Sequence, residues 1–189
     1  MSAPSPRVLG AVALGCWGVH AVDLVLRGET HDLMWICNLA GPVLALGCFA
    51  RRRLPVGIAV LWLVYGTPLW LLDMASGGVI IPTSFVSHFG CLAVGIVTVR
   101  AMGWERGAWW KTSVALVAVM ALTRVITPPR FNVNLAFAVW DGWEDWFPSY
   151  GPYAVLLVTG SAVCFFVVGR LFERVAPAAP GQGAVGHAS

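Results

Sequence analysis

The sequence predicts an all-α protein, a six-helix transmembrane bundle with both termini in the cytoplasm. Of its 189 residues, 58% are hydrophobic and only 11% are charged, and the mean hydropathy is +0.77. A soluble domain carries about 25% charged residues and could not bury this much apolar surface, and a disordered chain has the opposite composition. The chain also contains six apolar stretches that approach the roughly 20 residues needed to cross a bilayer. The composition therefore predicts an integral membrane protein.

The six spans are predicted at residues 8–26, 33–50, 54–72, 83–99, 108–126 and 151–171. Each is continuously apolar at helical length, unlike the short alternating strands of a membrane barrel. The first span contains His20 and Asp23 and no small-residue cleavage site follows it, so we interpret it as a true span and not as a signal peptide. Residues 1–175 are thus expected to form one transmembrane domain. The aromatic-rich connection 127–150 is expected to form a lid on the membrane surface, and the Ala/Pro/Gly-rich segment 176–189 a disordered tail.

The orientation is predicted from the basic residues. With six spans both termini share one side, and nine of the 12 Lys and Arg residues fall on that side. The positive-inside rule therefore places the termini in the cytoplasm, and in a bacterial cell the membrane would be the plasma membrane. The net charge of +3 is too small and too scattered to indicate a nucleic-acid partner. The oligomeric state is left open.

The five cysteines all lie in apolar stretches, with no CxxC pair and no zinc-ligand spacing. We therefore expect no disulfide framework, no metal site and no cofactor. A cysteine in such a stretch most often acts as a small buried hydrophobic residue.

Polar residues inside spans are costly and are candidates for function. Counting inward from the predicted outer boundary at about 1.5 Å per residue places three of them, His20, Cys37 and His88, roughly 9 to 10 Å below the outer surface. Of the five cysteines, only Cys37 combines the depth of His88 with polar flanking residues. A histidine that takes the proton of a thiol makes it a nucleophile. The common depth therefore predicts a catalytic pair of Cys37 and His88.

Other polar residues are candidates for supporting or substrate-binding roles. His20 and Asp23 are three residues apart, so they share a helix face on which the carboxylate could orient the imidazole. The alternative is that Asp23 pairs with Arg27 while His20 bonds to a neighbouring helix. Asn38 and Asn134 are candidates to stabilise an oxyanion.

Three short segments carry a resemblance to a known family. They are DLMWICNLA (32–40), the stretch from LVYGTPLW to SFVSHFG (63–90), and Asn132–Asn134 followed by a Gly-Pro-Tyr at 151–153. These segments resemble the YwaF-like bacterial integral membrane proteins, which are related to the transmembrane protein 164 acyltransferase and, by fold, to the androgen-induced-gene lipid hydrolases. The resemblance covers about residues 32–168. Trp35 stands where the family pattern has a histidine, and Asn38 follows the cysteine.

The resemblance implies that Cys37 and His88 carry acyl transfer on a membrane lipid. The expected function is thus a lipid acyltransferase or acyl-ester hydrolase that works through an acyl-enzyme. The main alternative is a non-catalytic membrane module, such as a small permease, a lipid-binding protein or an assembly factor. A further alternative is haem binding through His20 and His88.

Overall fold

The protein is all-helical, as the composition predicts, and is described for residues 4–176 by a computed structural model. Within these residues it forms six helices: α1 (Pro6–Arg27), α2 (Ile36–Phe49), α3 (Arg53–Ala75), α4 (Pro82–Met102), α5 (Ala108–Ile126) and α6 (Tyr150–Val175). All except α2 are long and apolar enough to span a membrane. The six-helix fold is confirmed, whereas the orientation of the termini stays a prediction. Apart from Ala176, the predicted tail lies outside the described residues.

The ends of α1 follow from local sequence signals. Ser5 caps the helix, because its hydroxyl accepts a hydrogen bond from the Val8 amide at 3.4 Å, and Pro6 occupies the first turn, where no amide partner is needed. Gly28 ends the helix in the left-handed conformation, with φ of 78°. The connection to α2 therefore begins one residue after Arg27.

Helix α2 is shorter than the predicted span 33–50. The chain forms a 3₁₀ turn at Thr30–Met34, Trp35 is extended, and α2 begins only at Ile36. Its 14 residues rise about 21 Å, against roughly 30 Å of hydrocarbon. The predicted start of this span was wrong by three residues, and Cys37 and Asn38 consequently lie in the first turn of α2.

Close contacts between small residues and large side chains hold the helices together. A side chain at Gly41 of α2 would lie only 2.6 Å from Cβ of Trp17 in α1. One at Gly95 of α4 would lie 2.7 Å from Val60 in α3. Small residues at such crossings are typical of membrane helices. Outward-facing side chains are apolar and exposed, as expected for a surface in lipid; examples are Val22, Leu26, Val125 and Val155.

The long connection between α5 and α6 is folded onto the end of the bundle. It contains two 3₁₀ turns, Pro129–Phe131 and Val133–Leu135. The Arg124 side chain donates to the Ala136 carbonyl and lies 5.0 Å from the ring of Tyr150, whose hydroxyl donates to the Leu135 carbonyl at 3.1 Å. Arg124 and Tyr150 therefore attach this connection to α5 and α6.

Candidate functional site

A cavity of about 680 Å³ lies under this connection, at the end of the bundle where α1 ends and α2 begins. All six helices contribute to its wall, and we call it the end cavity. Its polar and aromatic lining residues are His20, Glu29, His31, Asp32, Trp35, Cys37, Asn38, Tyr65, Trp70, Asp73, Ser84, His88, Phe131, Asn134, Trp140 and Ser161. A volume of this size is typical of sites that bind small molecules. Five of the six predicted site residues line it, and Asp23 is the exception.

His88 presents an unpaired nitrogen inside this wall. It lies in a π-helical turn, Val86–Gly90, within α4, a local distortion that is frequent at functional sites. Its Nδ1 is 2.9 Å from the Ser84 carbonyl oxygen, which can only accept, so Nδ1 carries the hydrogen and donates it. The imidazole is 1% exposed and stacks on Trp70 with ring centres 4.3 Å apart. Its Nε2 has no hydrogen-bond partner among the described residues, so it is left as a fixed, free proton acceptor.

Cys37 shares the end cavity with His88 but is not hydrogen-bonded to it. The unpartnered state of His88 Nε2 excludes a direct bond to the sulfur. Cys37 packs against α3, where a side chain at Gly66 would lie 3.0 Å from its Cβ. Trp70, which stacks on His88, follows Gly66 by four residues on the same helix. One face of α3 therefore contacts both members of the predicted pair.

His20 and Asp23 are connected by a third residue. His20 Nδ1 lies 3.0 Å from Oγ1 of Thr83, and the Thr83 hydroxyl donates to Asp23 at 2.7 Å. Because that hydroxyl has one hydrogen, His20 Nδ1 must donate to it, which leaves the Nε2 of the neutral imidazole as an acceptor. Asp23 also pairs with Arg27 at 2.8 Å. The carboxylate thus orients His20 through Thr83 and not directly, and both contacts of the alternative interpretation are present.

Thr83 was missed by the sequence reasoning. The one available signal was its position directly after Pro82, near the start of a predicted span and close to the level of Asp23. Threonine in a helix usually bonds back to its own backbone, so that position alone did not indicate a bond to another helix.

Asn134 acts as a structural cap. Its side-chain oxygen accepts from the Ile36 amide at 2.8 Å, and its amide donates to the Met34 carbonyl at 2.8 Å and to Thr123 Oγ1 at 3.0 Å. Both amide hydrogens are therefore in use, and none is free for an oxyanion. Asn134 instead fixes the first turn of α2, which carries Cys37.

Asn38 is only partly satisfied. It is 5% exposed, and its amide donates to the Asp32 carbonyl at 2.8 Å. Its side-chain oxygen is buried without a partner among the described residues. Asn38 therefore adds a second buried, unpartnered acceptor among the residues that line the end cavity, and one of its amide hydrogens has no partner within residues 4–176.

Three carboxylates form the mouth of the end cavity: Glu29, Asp32 and Asp73. The sequence analysis did not assign them a role. Burial raises the pKa of Asp32; the charges of Glu29 and Asp73 act in the same direction, while His31 and a hydrogen bond from Trp35 oppose them. No Lys or Arg lines the cavity within the described chain. The mouth is therefore acidic.

Within residues 4–176 no group of three or more His, Cys, Asp or Glu side chains is placed to hold a metal ion.

Comparison with family models, with curated proteins and with solved structures finds no match to this chain.

Proposed function

We propose that the protein is a membrane-embedded lipid acyltransferase or acyl-ester hydrolase that uses Cys37 as nucleophile and His88 as general base. The observation that carries the proposal is the free Nε2 of His88, a buried acceptor with a fixed tautomer on the wall that Cys37 also lines. Catalytic contacts are often loose in the absence of substrate and tighten when it binds. The resemblance to the YwaF-like family supports the same pair.

The proposed reaction has two steps. His88 Nε2 takes the thiol proton of Cys37, and the thiolate attacks the ester carbonyl of a lipid whose chain lies in the end cavity. The ester C–O bond breaks, the leaving alcohol takes the proton from His88, and a thioester remains on Cys37. Water or an acceptor alcohol then gives its proton to His88 and attacks the thioester, which releases an acid or a new ester and restores the thiol.

A non-catalytic lipid-binding module is the second candidate, and a specific observation favours it. Cys37 and His88 are not bonded to one another, while His20 and Asn134 bond across the bundle as structural residues do. In this case the end cavity would hold a lipid without changing it.

A lipid-tailed, thiol-reactive probe distinguishes the two candidates. Wild-type protein in neutral nanodiscs should be labelled at Cys37, and His88→Ala should slow labelling at least tenfold. Cys164 on α6 is half-buried and lies outside the end cavity, so Cys164→Ala provides the matched control and should leave Cys37 labelling unchanged. Equal labelling in wild type and His88→Ala would reject the catalytic pair.

A trapped thioester would be the direct demonstration. Incubation with phospholipid should add an acyl mass to the intact protein that hydroxylamine removes and that Cys37→Ala abolishes. If a well-folded wild type binds lipid but never carries this mass, the lipid-binding candidate is the correct one.

A further inference from the structure

The mouth of the end cavity is built to receive positive charge. Glu29 and Asp73 have no ion-pair partner within 4.0 Å among the described residues, and the one ion-pair contact of Asp32 there is with His31, at 3.5 Å. Uncompensated carboxylates in a partly enclosed site repel anions and attract cations. No lining residue is Lys or Arg, and Arg27, whose charge also acts on Glu29, is paired with Asp23. A cationic ligand would therefore add compensating charge that the wall lacks.

The unpaired polar atoms deeper in the wall give an independent indication. The Nε2 of His88 and the Oδ1 of Asn38 are both buried, both without partners, and both acceptors. A buried acceptor without a partner is destabilising, and a ligand that donates a hydrogen bond to it removes this cost. Asn38 is bonded to the Asp32 backbone, so one of the free acceptors lies directly beside the acidic mouth.

The remaining wall is aromatic and apolar. Trp35, Trp70, Trp140, Tyr65 and Phe131 line the end cavity, and Leu24, Leu69, Leu116 and Leu157 also contribute to its wall. Aromatic faces bind ammonium groups through cation–π interactions. The leucines would accommodate a hydrocarbon chain.

We infer that the end cavity binds an amphiphile with an ammonium head group, which lies among Glu29, Asp32 and Asp73 while its chain occupies the apolar interior. A divalent metal ion would require oxygen ligands around it, whereas aromatic rings accompany these carboxylates. A primary ammonium fits better than a quaternary one, because its N–H groups can donate to the Oδ1 of Asn38, which lies beside Asp32. The inference rests on the proposed function for the role of the end cavity as the ligand site, and it names the class of lipid that the site selects.

Dodecylammonium is the direct probe. Radiolabelled probe is added to protein in nanodiscs of neutral lipid at low salt, and empty nanodiscs give the non-saturable partitioning to be subtracted. We expect saturable binding of one molecule per chain. Dodecanoate, with the same chain and the opposite charge, should not compete, and dodecyltrimethylammonium, which has no N–H group, should bind about tenfold more weakly.

Three substitutions test the acidic mouth. Glu29→Gln, Asp32→Asn and Asp73→Asn should each weaken binding about tenfold, the effect of one charge removed at close range in a partly solvated site. Glu144→Gln with Asp145→Asn provides the control, because these exposed acids lie outside the end cavity; that variant should bind within twofold of wild type. Unfolding temperatures of all variants establish that they are folded.

The outcomes separate this inference from the proposed function. Cys37→Ala should bind dodecylammonium normally, because binding needs no nucleophile, so failure to form a thioester leaves the binding result intact. Competition by dodecanoate equal to that by the ammonium probe, or wild-type affinity in all three mouth variants, would overturn the inference. Equal affinity for ethylammonium, a free amine without a chain, would show that the interior holds no hydrocarbon and would overturn it as well.

Discussion

The most informative substitution for separating structure from catalysis is Asn134→Ala. Asn134 makes three buried hydrogen bonds, to Ile36, Met34 and Thr123, at 2.8, 2.8 and 3.0 Å. At a net value of about 1 kcal/mol per bond, their loss removes about 3 kcal/mol of unfolding free energy. Asn134 also has φ of 56° and ψ of 21°, a left-handed conformation that costs alanine about 1 kcal/mol more. We therefore expect a loss of about 4 kcal/mol.

Asn134→Gly is the matched variant. It loses the same three bonds, but glycine adopts the left-handed conformation without steric cost. The difference between the two variants should therefore be about 1 kcal/mol. For a chain of this size a loss of about 4 kcal/mol lowers the unfolding temperature by roughly 8 to 16 °C.

Two measurements check this prediction. Thermal unfolding in neutral detergent gives the stability, and hydrogen exchange of the first turn of α2 should accelerate, since Asn134 holds the Ile36 amide. An oxyanion role would instead lower turnover and leave unfolding and exchange unchanged. Wild-type stability and wild-type exchange in Asn134→Ala would refute the reasoning.

Four further predictions concern the orientation, the coupling of Cys37 and His88, the charge of Asp32 and the pH dependence of binding. In a cysteine-free background, Val79→Cys, which is exposed in the connection between α3 and α4, should react with an impermeant thiol reagent outside intact cells; reaction only after lysis would reverse the orientation. Replacing both Cys37 and His88 should reduce acyl transfer little more than the worse single change, because residues that act as a unit are non-additive; effects that multiply would indicate independent roles. The pKa of the Asp32 carboxyl is raised in the folded state, so the folded protein binds the carboxyl proton more tightly than the unfolded chain does. Asp32 therefore stabilises the fold only at low pH. This contribution is lost as the pH rises through the pKa of the folded state. Asp32→Asn should therefore raise the unfolding temperature of the ligand-free protein at pH 7; an unchanged or lower value would contradict this. In wild type, dodecylammonium affinity should increase from pH 4 to pH 7 as the carboxyl ionises, and Asp32→Asn should flatten this dependence; the same pH dependence in both proteins would assign it to another group.

Properties of single segments were predictable from the sequence. Span length and apolar composition predicted six helices, and Ser5, Pro6 and Gly28 are standard signals for the ends of α1. Counting residues from the predicted boundary assigned His20, Cys37 and His88 to one depth, and the structure places all three on one cavity wall. These inferences work because helix rise and bilayer thickness are constants that relate position in the chain to depth.

Properties that depend on two distant segments were decided only by the tertiary structure. The start of α2 at Ile36 depends on Asn134, which lies 98 residues away, and His20 is oriented by Thr83, 63 residues away. Depth does not specify rotation about a helix axis, so the sequence did not reveal that Cys37 and His88 are unbonded or that His88 Nε2 is free. The acidic mouth likewise brings Glu29 and Asp32, from the connection between α1 and α2, together with Asp73 near the end of α3. Sequence alone therefore determined the number and approximate extent of the helices, because these follow from local composition and length. The contacts within the end cavity had to come from the structure, because they depend on how helices far apart in the chain pack and turn against each other.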